Sequence, residues 1–387
     1  MRIGSYDDVR RLSRRRLPRA VFEFVDGGAG GEVTLRANRA AFERLRFAPR
    51  WLTDVSERET STTVLGERVS MPVLLAPAGL ARLVHRHGEL EVARAAGAAG
   101  TVFCVSIASS CSIEEIAEAA TGPLWFQLYL WRSDEVVKGL VERARAAGYR
   151  ALVLTIDVPV VGNRERDLRN GVSLPPRVRL DSALDACRRP RWLYGFLRGP
   201  AITLANLRDV VDGDVGAIAS YVDRELNDPS ATWERLSWLR RLWDGPLVVK
   251  GVLSARDALE AVKRGADAVC VSNHGGRQLD GSPATLDALP AIVDAVGDRA
   301  EVLVDGGIRR GEDAVKARAL GARACLVGRP WVHALGAGGA PMVERMLELL
   351  RADVDRTLGL LGVPRVDDLD ARVLLVEPGA GLDAPDR

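Results

Sequence analysis

The feature that most limits what this chain can fold into is a rhythm. From about residue 72 a short apolar run ends in small or polar residues and is followed by an amphipathic stretch, again and again. The runs are Pro72–Pro77, Thr101–Ser106, Leu124–Tyr129, Ala151–Asp157, Pro246–Gly251, Ala268–Asn273, Glu301–Gly306 and Ala324–Gly328. Such near-continuous apolar runs are strands buried on both faces, as in parallel sheets. Between them Glu89–Ala99, Ser112–Ala120, Asp134–Ala147, Ala255–Arg264 and Glu312–Leu320 read as helices. Ser112 opens its helix with a capping-box pattern to Glu115, and Gly265 and Gly321 close theirs just before a strand. Parallel strands need helical crossovers, so eight such units predict an α/β fold, a (β/α)8 TIM barrel. A doubly wound sheet is the alternative and ranks lower, because eight regular units close naturally.

The rest of the chain is assigned around that barrel. Residues 1–71 are expected to cap its N-terminal end, with a helix over Ser5–Val25 broken at Pro18 and a hairpin over Thr62–Ser70 turning at Gly66-Glu67. The barrel spans 72–365, Met342–Leu361 is its closing helix, and 366–387 is a tail, loose from Glu377 onward. About ninety residues separate the fourth run from the fifth, and 176–232 form a long excursion there. Within it Arg177–Arg208 carries seven arginines against two aspartates, together with Trp192, Tyr194 and Phe196. Two readings stay open for it: a mobile loop over the active site, or a basic, aromatic segment that docks on an anionic membrane.

Composition excludes several classes. A net charge of +2 over 387 residues is too balanced for a nucleic-acid partner. The five cysteines form no C-x-x-C pair and, with four histidines, no metal-ligand spacing, so no metal is expected. Cys104, Cys270 and Cys325 sit in apolar runs and read as buried thiols, which fits a reducing cytoplasm. The basic N-terminus is not followed by an apolar core, and no run reaches the ~20 residues of a membrane span. The expected location is cytoplasmic, or peripheral on the inner face of the membrane if the excursion docks there.

In such a barrel, functional groups gather at the C-terminal strand ends. Here the fourth run ends at Thr155 and Asp157, the fifth at Lys250, and the sixth in Ser272-Asn273-His274-Gly275-Gly276-Arg277. The seventh ends in Asp305-Gly306-Gly307-Ile308-Arg309 and the eighth in Gly328-Arg329. Glycines with fixed positive charge after the last two strands describe a phosphate site. The unperturbed imidazole of a residue such as His274 has a pKa near neutrality, as a general base requires; Asp157 is placed to orient it, and Arg277 to fork onto a carboxylate.

Ser272–Asp280 (SNHGGRQLD), Trp125–Tyr129 (WFQLY), Leu154–Asp157 with Arg164, Asp305–Arg309 and Gly328-Arg329 resemble, in order, the FMN-dependent α-hydroxy acid dehydrogenase and oxidase family, which includes glycolate oxidase, L-lactate dehydrogenase and mandelate dehydrogenase. The resemblance runs from about residue 5 to 365. It implies oxidation of an L-2-hydroxy acid, lactate- or mandelate-like, to the 2-oxo acid. Pro77, Ala78 and Gly79 would lie against the flavin, and Ser106, Gln127, Thr155 and Ser272 would hydrogen-bond FMN. Lys250 would stabilise the reduced ring. Asp305, Gly306, Gly307, Arg309, Gly328 and Arg329 would hold ribityl and phosphate. Tyr129, Arg164 and Arg277 would grip the substrate carboxylate, with His274 and Asp157 catalytic. A homo-oligomer, a homotetramer, is implied as well.

Three positions depart from the family pattern. Phe24 stands where many members place a substrate-binding tyrosine, which removes a hydroxyl from the carboxylate site. Ala108 replaces the bulky tryptophan of glycolate oxidases and suggests room for a larger substituent. Gly79 resembles the dehydrogenases, where many oxidases have alanine, and points to an acceptor other than oxygen, a quinone or carrier protein. An oxygen-using hydroxymandelate-type oxidase is the nearest rival. An FMN-dependent isopentenyl-diphosphate isomerase is disfavoured by the His274, Arg277 and Arg164 set, and a catalytically silent flavin-binding barrel is the rival from another class.

Overall fold

Each apolar run becomes a strand, and the strands close on themselves. The computed structural model describes residues 2–171, 180–208 and 228–375. In it β1 (Val73–Leu75), β2 (Phe103–Ser106), β3 (Leu124–Leu128), β4 (Ala151–Thr155), β5 (Leu247–Val252), β6 (Ala268–Val271), β7 (Glu301–Asp305) and β8 (Ala324–Val327) form a closed barrel. Neighbours pair in parallel, and β8 returns to β1 with Cys325, Leu326 and Val327 opposite Val73, Leu74 and Leu75. Closure rules out the doubly wound sheet.

Alternation explains why both faces are apolar. Leu74, Cys104, Trp125, Val153, Val248 and Leu303 fill the barrel interior, while Leu75, Val105, Phe126, Leu154, Val249 and Val304 pack under the helices. The crossover helices α4 (Glu89–Ala98), α5 (Ile113–Ala119), α6 (Asp134–Ala146), α11 (Ala255–Lys263) and α13 (Gly311–Ala319) lie within a residue or two of their expected bounds. Ser112 caps α5 through the anticipated box with Glu115. Further crossovers are α10 (Trp233–Leu242) and α12 (Thr285–Val296); α14 (Arg329–Gly338) follows β8, and α15 (Ala340–Leu361) closes the ring.

The N-terminal region differs from expectation in where it sits. Its hairpin, Thr62–Val64 with Glu67–Val69, does plug the N-terminal end, where Val64 and Val69 join the interior cluster and Leu65 N donates to Glu301 at 3.1 Å. The turn is Leu65-Gly66, both with positive φ, rather than Gly66-Glu67. The helices α1 (Tyr6–Arg16), α2 (Arg19–Asp26) and α3 (Val33–Arg44), separated at Pro18 between the first two, instead serve the opposite end. There Ala29 N donates to Gly276 O and Gly30 N to Asn163 O, each at 2.8 Å, and Asn38 exchanges two side-chain bonds with Asn273. Polar loops after β4 and β6 supply those partners, and amphipathicity alone carries no information about which end is chosen.

Two further segments are more ordered than a loop and a tail. Ahead of the excursion lies α7 (Glu165–Asn170), and the described part of the excursion holds α8 (Leu180–Cys187), α9 (Pro190–Arg198) and a 3-10 turn at Ala205–Leu207; its residues 176–179 and 209–227 lie outside the described residues. Beyond residue 365, Val366 is fully buried and Leu374 and Leu375 pair antiparallel with Phe47 and Arg46. The expected loose end from Glu377 lies outside the described residues.

Candidate active site

Side-chain alternation carries straight into the site. The inward positions at the C-terminal end of the barrel are Ser106, Gln127, Thr155, Lys250, Ser272 and Asp305, all buried and all polar. They follow apolar inward residues two positions earlier on each strand, so the interior changes character within one layer. Above them opens a cavity of about 400 Å³, within the range of small-ligand sites.

Several of these polar atoms lack partners. Gln127 Nε2, Thr155 Oγ1 and Asp305 Oδ1 are buried without a hydrogen bond. Leaving a buried polar group unsatisfied costs about 1–3 kcal/mol, so their convergence on one cavity marks a place for a polar ligand. Lys250 is engaged: its Nζ donates to Ser272 Oγ at 3.0 Å and pairs with Asp305 at 3.2 Å. Burial opposes its charge, but Asp305 and then Asp157 hold its pKa above the ordinary lysine value. Ser272, expected to touch the flavin, belongs to the same polar layer but does not line the cavity; its hydroxyl accepts from Lys250 and from His274 N.

The loop after β6 is held in an unusual conformation. His274 has φ 58°, followed by Gly275 and Gly276 at 63° and 75°. A non-glycine residue there costs roughly 1–2 kcal/mol, and the loop is over-determined to match. Ser272 Oγ accepts from His274 N, Asn273 Oδ1 from Gly276 N, and Gln278 Nε2 donates to the carbonyls of Asp157 and Val160. The result puts His274 Nδ1 3.0 Å from Asp157 Oδ1. Gly251 makes this possible, since a Cβ there would stand 2.8 Å from the Asp157 side chain. Asp157 itself does not line the cavity; it backs the imidazole. Burial pushes His274 below its ordinary value against the pull of Asp157. Asp157 stays below the usual carboxylate range because His274 and Lys250 outweigh the effect of its burial. Of the other histidines, His333 is fully buried beside Ser13 and Asp26, and His85 and His87 lie outside the cavity.

Positive charge is concentrated around the same space. Arg164, at the N-terminus of α7, lines it with an unpartnered Nε, next to Tyr129. Arg277 Nη1 donates to the carbonyls of Phe24 and Gly27 at 2.7 and 2.9 Å, and its guanidinium lies 5.2 Å from the Phe24 ring centre. Arg329 grips the carbonyls of Val25, Gly27 and Gly275. Thus the C-terminal end of α2, the negative pole of its dipole, faces two arginines. Burial, then Arg164 and Arg329, lowers Arg277, and burial, then Arg309, lowers Arg329 to about 10. Such a group of guanidiniums calls for anions.

Gly306 and Gly307, with φ 88° and 90°, line the cavity beside Arg309, Gly328 and Arg329; a Cβ on Gly307 would meet Asn38 O at 2.6 Å. Pro77, Ala78 and Gly79 form another side. A Cβ on Gly79 would come within 2.7 Å of the Ala108 Cβ, so the small residues at 79 and 108 are packed against each other. Sequence reasoning missed the apolar wall: Leu83, Val84, Val161, Leu204 and Leu207. Leu204 and Leu207 come from the excursion, where nothing local in the sequence ties them to the strand ends.

Comparison with known proteins points one way. A family described as FMN-dependent dehydrogenase matches residues 13–376. The chain is 44% identical to (S)-mandelate dehydrogenase of Pseudomonas putida, covering 94% of this chain and 91% of that protein. It is 43% identical to L-lactate oxidase of Nostoc sp., covering 95% and 96%. Among solved structures, that of the monotopic membrane protein (S)-mandelate dehydrogenase superposes with a TM-score of 0.93 at 43% identity, over 97% of this chain and all of that one.

Proposed function

The chain belongs to the FMN-dependent dehydrogenase family, and from that premise we propose that it oxidises an L-2-hydroxy acid with a bulky apolar substituent, mandelate-like rather than glycolate-like, and passes the electrons to an acceptor other than oxygen. That it is an FMN-dependent oxidoreductase acting on a 2-hydroxy acid follows from its relatives; the size of the substituent, the acceptor and the residue roles are our reading.

The observation that carries this reading is the meeting of an Asp157-backed imidazole, a group of arginines and unpartnered polar atoms on one cavity with an apolar wall. The residues present fit FMN. Gln127, Thr155 and Asp305 have free polar atoms for it, Ser106 adds a hydroxyl, and Gly306, Gly307 and Gly328 leave backbone exposed beside Arg309 and Arg329 for ribityl and phosphate. Pro77, Ala78 and Gly79 supply backbone surface for the ring. Bound FMN supplies a two-electron acceptor.

The chain's own residues do the rest. Arg164, Arg277 and Tyr129 hold the carboxylate and fix which face of the α-carbon is presented. Each charge-assisted bond contributes about 1.5–3 kcal/mol, and Phe24 contributes none, offering its ring to Arg277 instead. His274, neutral near pH 7, accepts a substrate proton through Nε2. Asp157 fixes the ring's tautomer through Nδ1 and stabilises the imidazolium once it forms. Lys250 provides fixed positive charge under the cavity, and Ser272 acts by positioning Lys250 and His274.

The excursion supports a membrane-surface role. Trp192 Nε1 donates to Leu83 O at 2.8 Å and its ring stacks on Phe196, anchoring α9, while Tyr194 and Leu197 stand 60% and 70% exposed among Arg191 and Arg198. Among the described residues no helix is long and apolar enough to cross a membrane. A peripheral site on the inner membrane face would place the enzyme beside a quinone or carrier protein. The oxygen-using reading is supported by the likeness to L-lactate oxidase and to the solved structure of a mandelate oxidase, 42% identical. Anaerobic reduction with mandelate, lactate and glycolate, followed by air, separates these readings. Fast reduction by mandelate and slow reoxidation are expected; glycolate preference defeats the roomy pocket, and rapid reoxidation by air defeats the non-oxygen acceptor.

A further inference from the structure

Leu204 and Leu207 enter the cavity from a turn three residues long, Ala205–Leu207, with no strand beneath it. What holds that turn is Asn206, whose side chain is fully buried. Its Oδ1 accepts from Ile113 N at 2.9 Å, and its Nδ2 donates to Ile107 O and to Ser109 Oγ, each at 3.1 Å. The backbone follows suit: Ala205 N donates to Ser109 O at 3.1 Å, and Arg143 Nη1 to Asn206 O at 3.0 Å. Arg208 staples the turn to itself through Thr203 Oγ1 at 2.8 and 3.0 Å.

Every side-chain bond of Asn206 therefore goes to one partner, the Ile107–Ile113 loop after β2, and that loop carries Ala108. A buried amide with its partners satisfied on a single loop acts as a clamp: losing it leaves Ile113 N without its partner at the start of α5. We infer that Asn206 is a specificity-determining positioning residue, which by clamping the excursion onto the loop of Ala108 sets Leu204 and Leu207 as the wall that selects the size of the substrate's substituent. The inference rests on the reading of the cavity as the hydroxy-acid site. Asn206 touches neither the polar strand ends nor His274, so the chemistry on a small substrate does not depend on it.

The test is kcat/KM of the purified holoenzyme for (S)-mandelate and for L-lactate, in wild type, Asn206→Ala, Asn206→Asp and Leu207→Ala. The mandelate-to-lactate ratio is expected to fall by about tenfold in Asn206→Ala, through the mandelate KM, with FMN retained and lactate kcat little changed. Asn206→Asp keeps the acceptor for Ile113 N and lies between. Leu207→Ala leaves the clamp intact and shifts the ratio the same way, so it and Asn206→Asp decide the matter if Asn206→Ala does not fold. A ratio unmoved in Leu207→Ala, or an equal loss on both substrates in the Asn206 variants, overturns the inference. A wild-type enzyme reduced by neither acid overturns the reading of the site itself, and is a separate result.

Discussion

At His274 the backbone, the base and the charge balance meet in one residue. Its left-handed φ, its bond from N to Ser272 and its 3.0 Å contact with Asp157 all serve to aim the ring. Since burial lowers its pKa, the neutral form persists to acid side of the ordinary ~6.5. The working base is the neutral ring, so kcat/KM is predicted to rise with pH through a midpoint below about 6.5 and then level off. Asp157→Asn removes a charge that raises His274, so the midpoint moves further down while the rate falls by roughly 10²–10⁴; a midpoint moving up would contradict this role. At Phe24 the expectation is simpler. Phe24→Tyr restores a hydroxyl, and substrate KM is predicted to fall roughly tenfold or more, from a bond of ~1.5–3 kcal/mol; an unchanged KM would place the carboxylate elsewhere. These residues were legible in sequence because a rare histidine, paired with arginine, sat where an apolar run stops. Ser272 bonds Lys250 and His274 rather than lining the cavity, a distinction a motif does not carry: it specifies which residues gather at a strand end and not which of them reaches the cavity.

At the scale of elements, strands were readable because burial on both faces leaves no polar interruption, and helices because their caps are local. The hairpin turn was shifted by one residue for a physical reason: Leu65 is a poor candidate for a positive φ, yet the turn requires it there. The excursion was not readable as helices, since its strong amphipathic pattern covers only α9 and its ties to the barrel, Trp192 to Leu83 and Asn206 to Ile113, span 109 and 93 residues. If α9 docks on lipid, replacing the exposed Tyr194 and Leu197 with serine is predicted to lower partition onto anionic vesicles at least tenfold while anaerobic flavin reduction by substrate is unchanged. Equal partition of the two proteins would leave the basic aromatic segment as a covering of the site alone.

Across the whole molecule, the barrel's interior divides into an apolar lower part, sealed by the hairpin, and a polar upper layer crowned by α2 and α3. The first is what folds; the second is what is left unsatisfied by folding. That division explains why the fold and the strand-end residues could be read from one sequence, whereas the crown's position and the pocket wall depend on contacts far apart along the chain. The most direct test of the account is an anaerobic titration of the purified yellow protein with (S)-mandelate, followed at the flavin's visible absorption band, in wild type and in His274→Gln. Wild type is predicted to bleach on mixing, and His274→Gln to retain its FMN but bleach slower by at least ~10². A variant that bleaches at the wild-type rate, or a wild-type flavoprotein left unbleached by every 2-hydroxy acid, would contradict it.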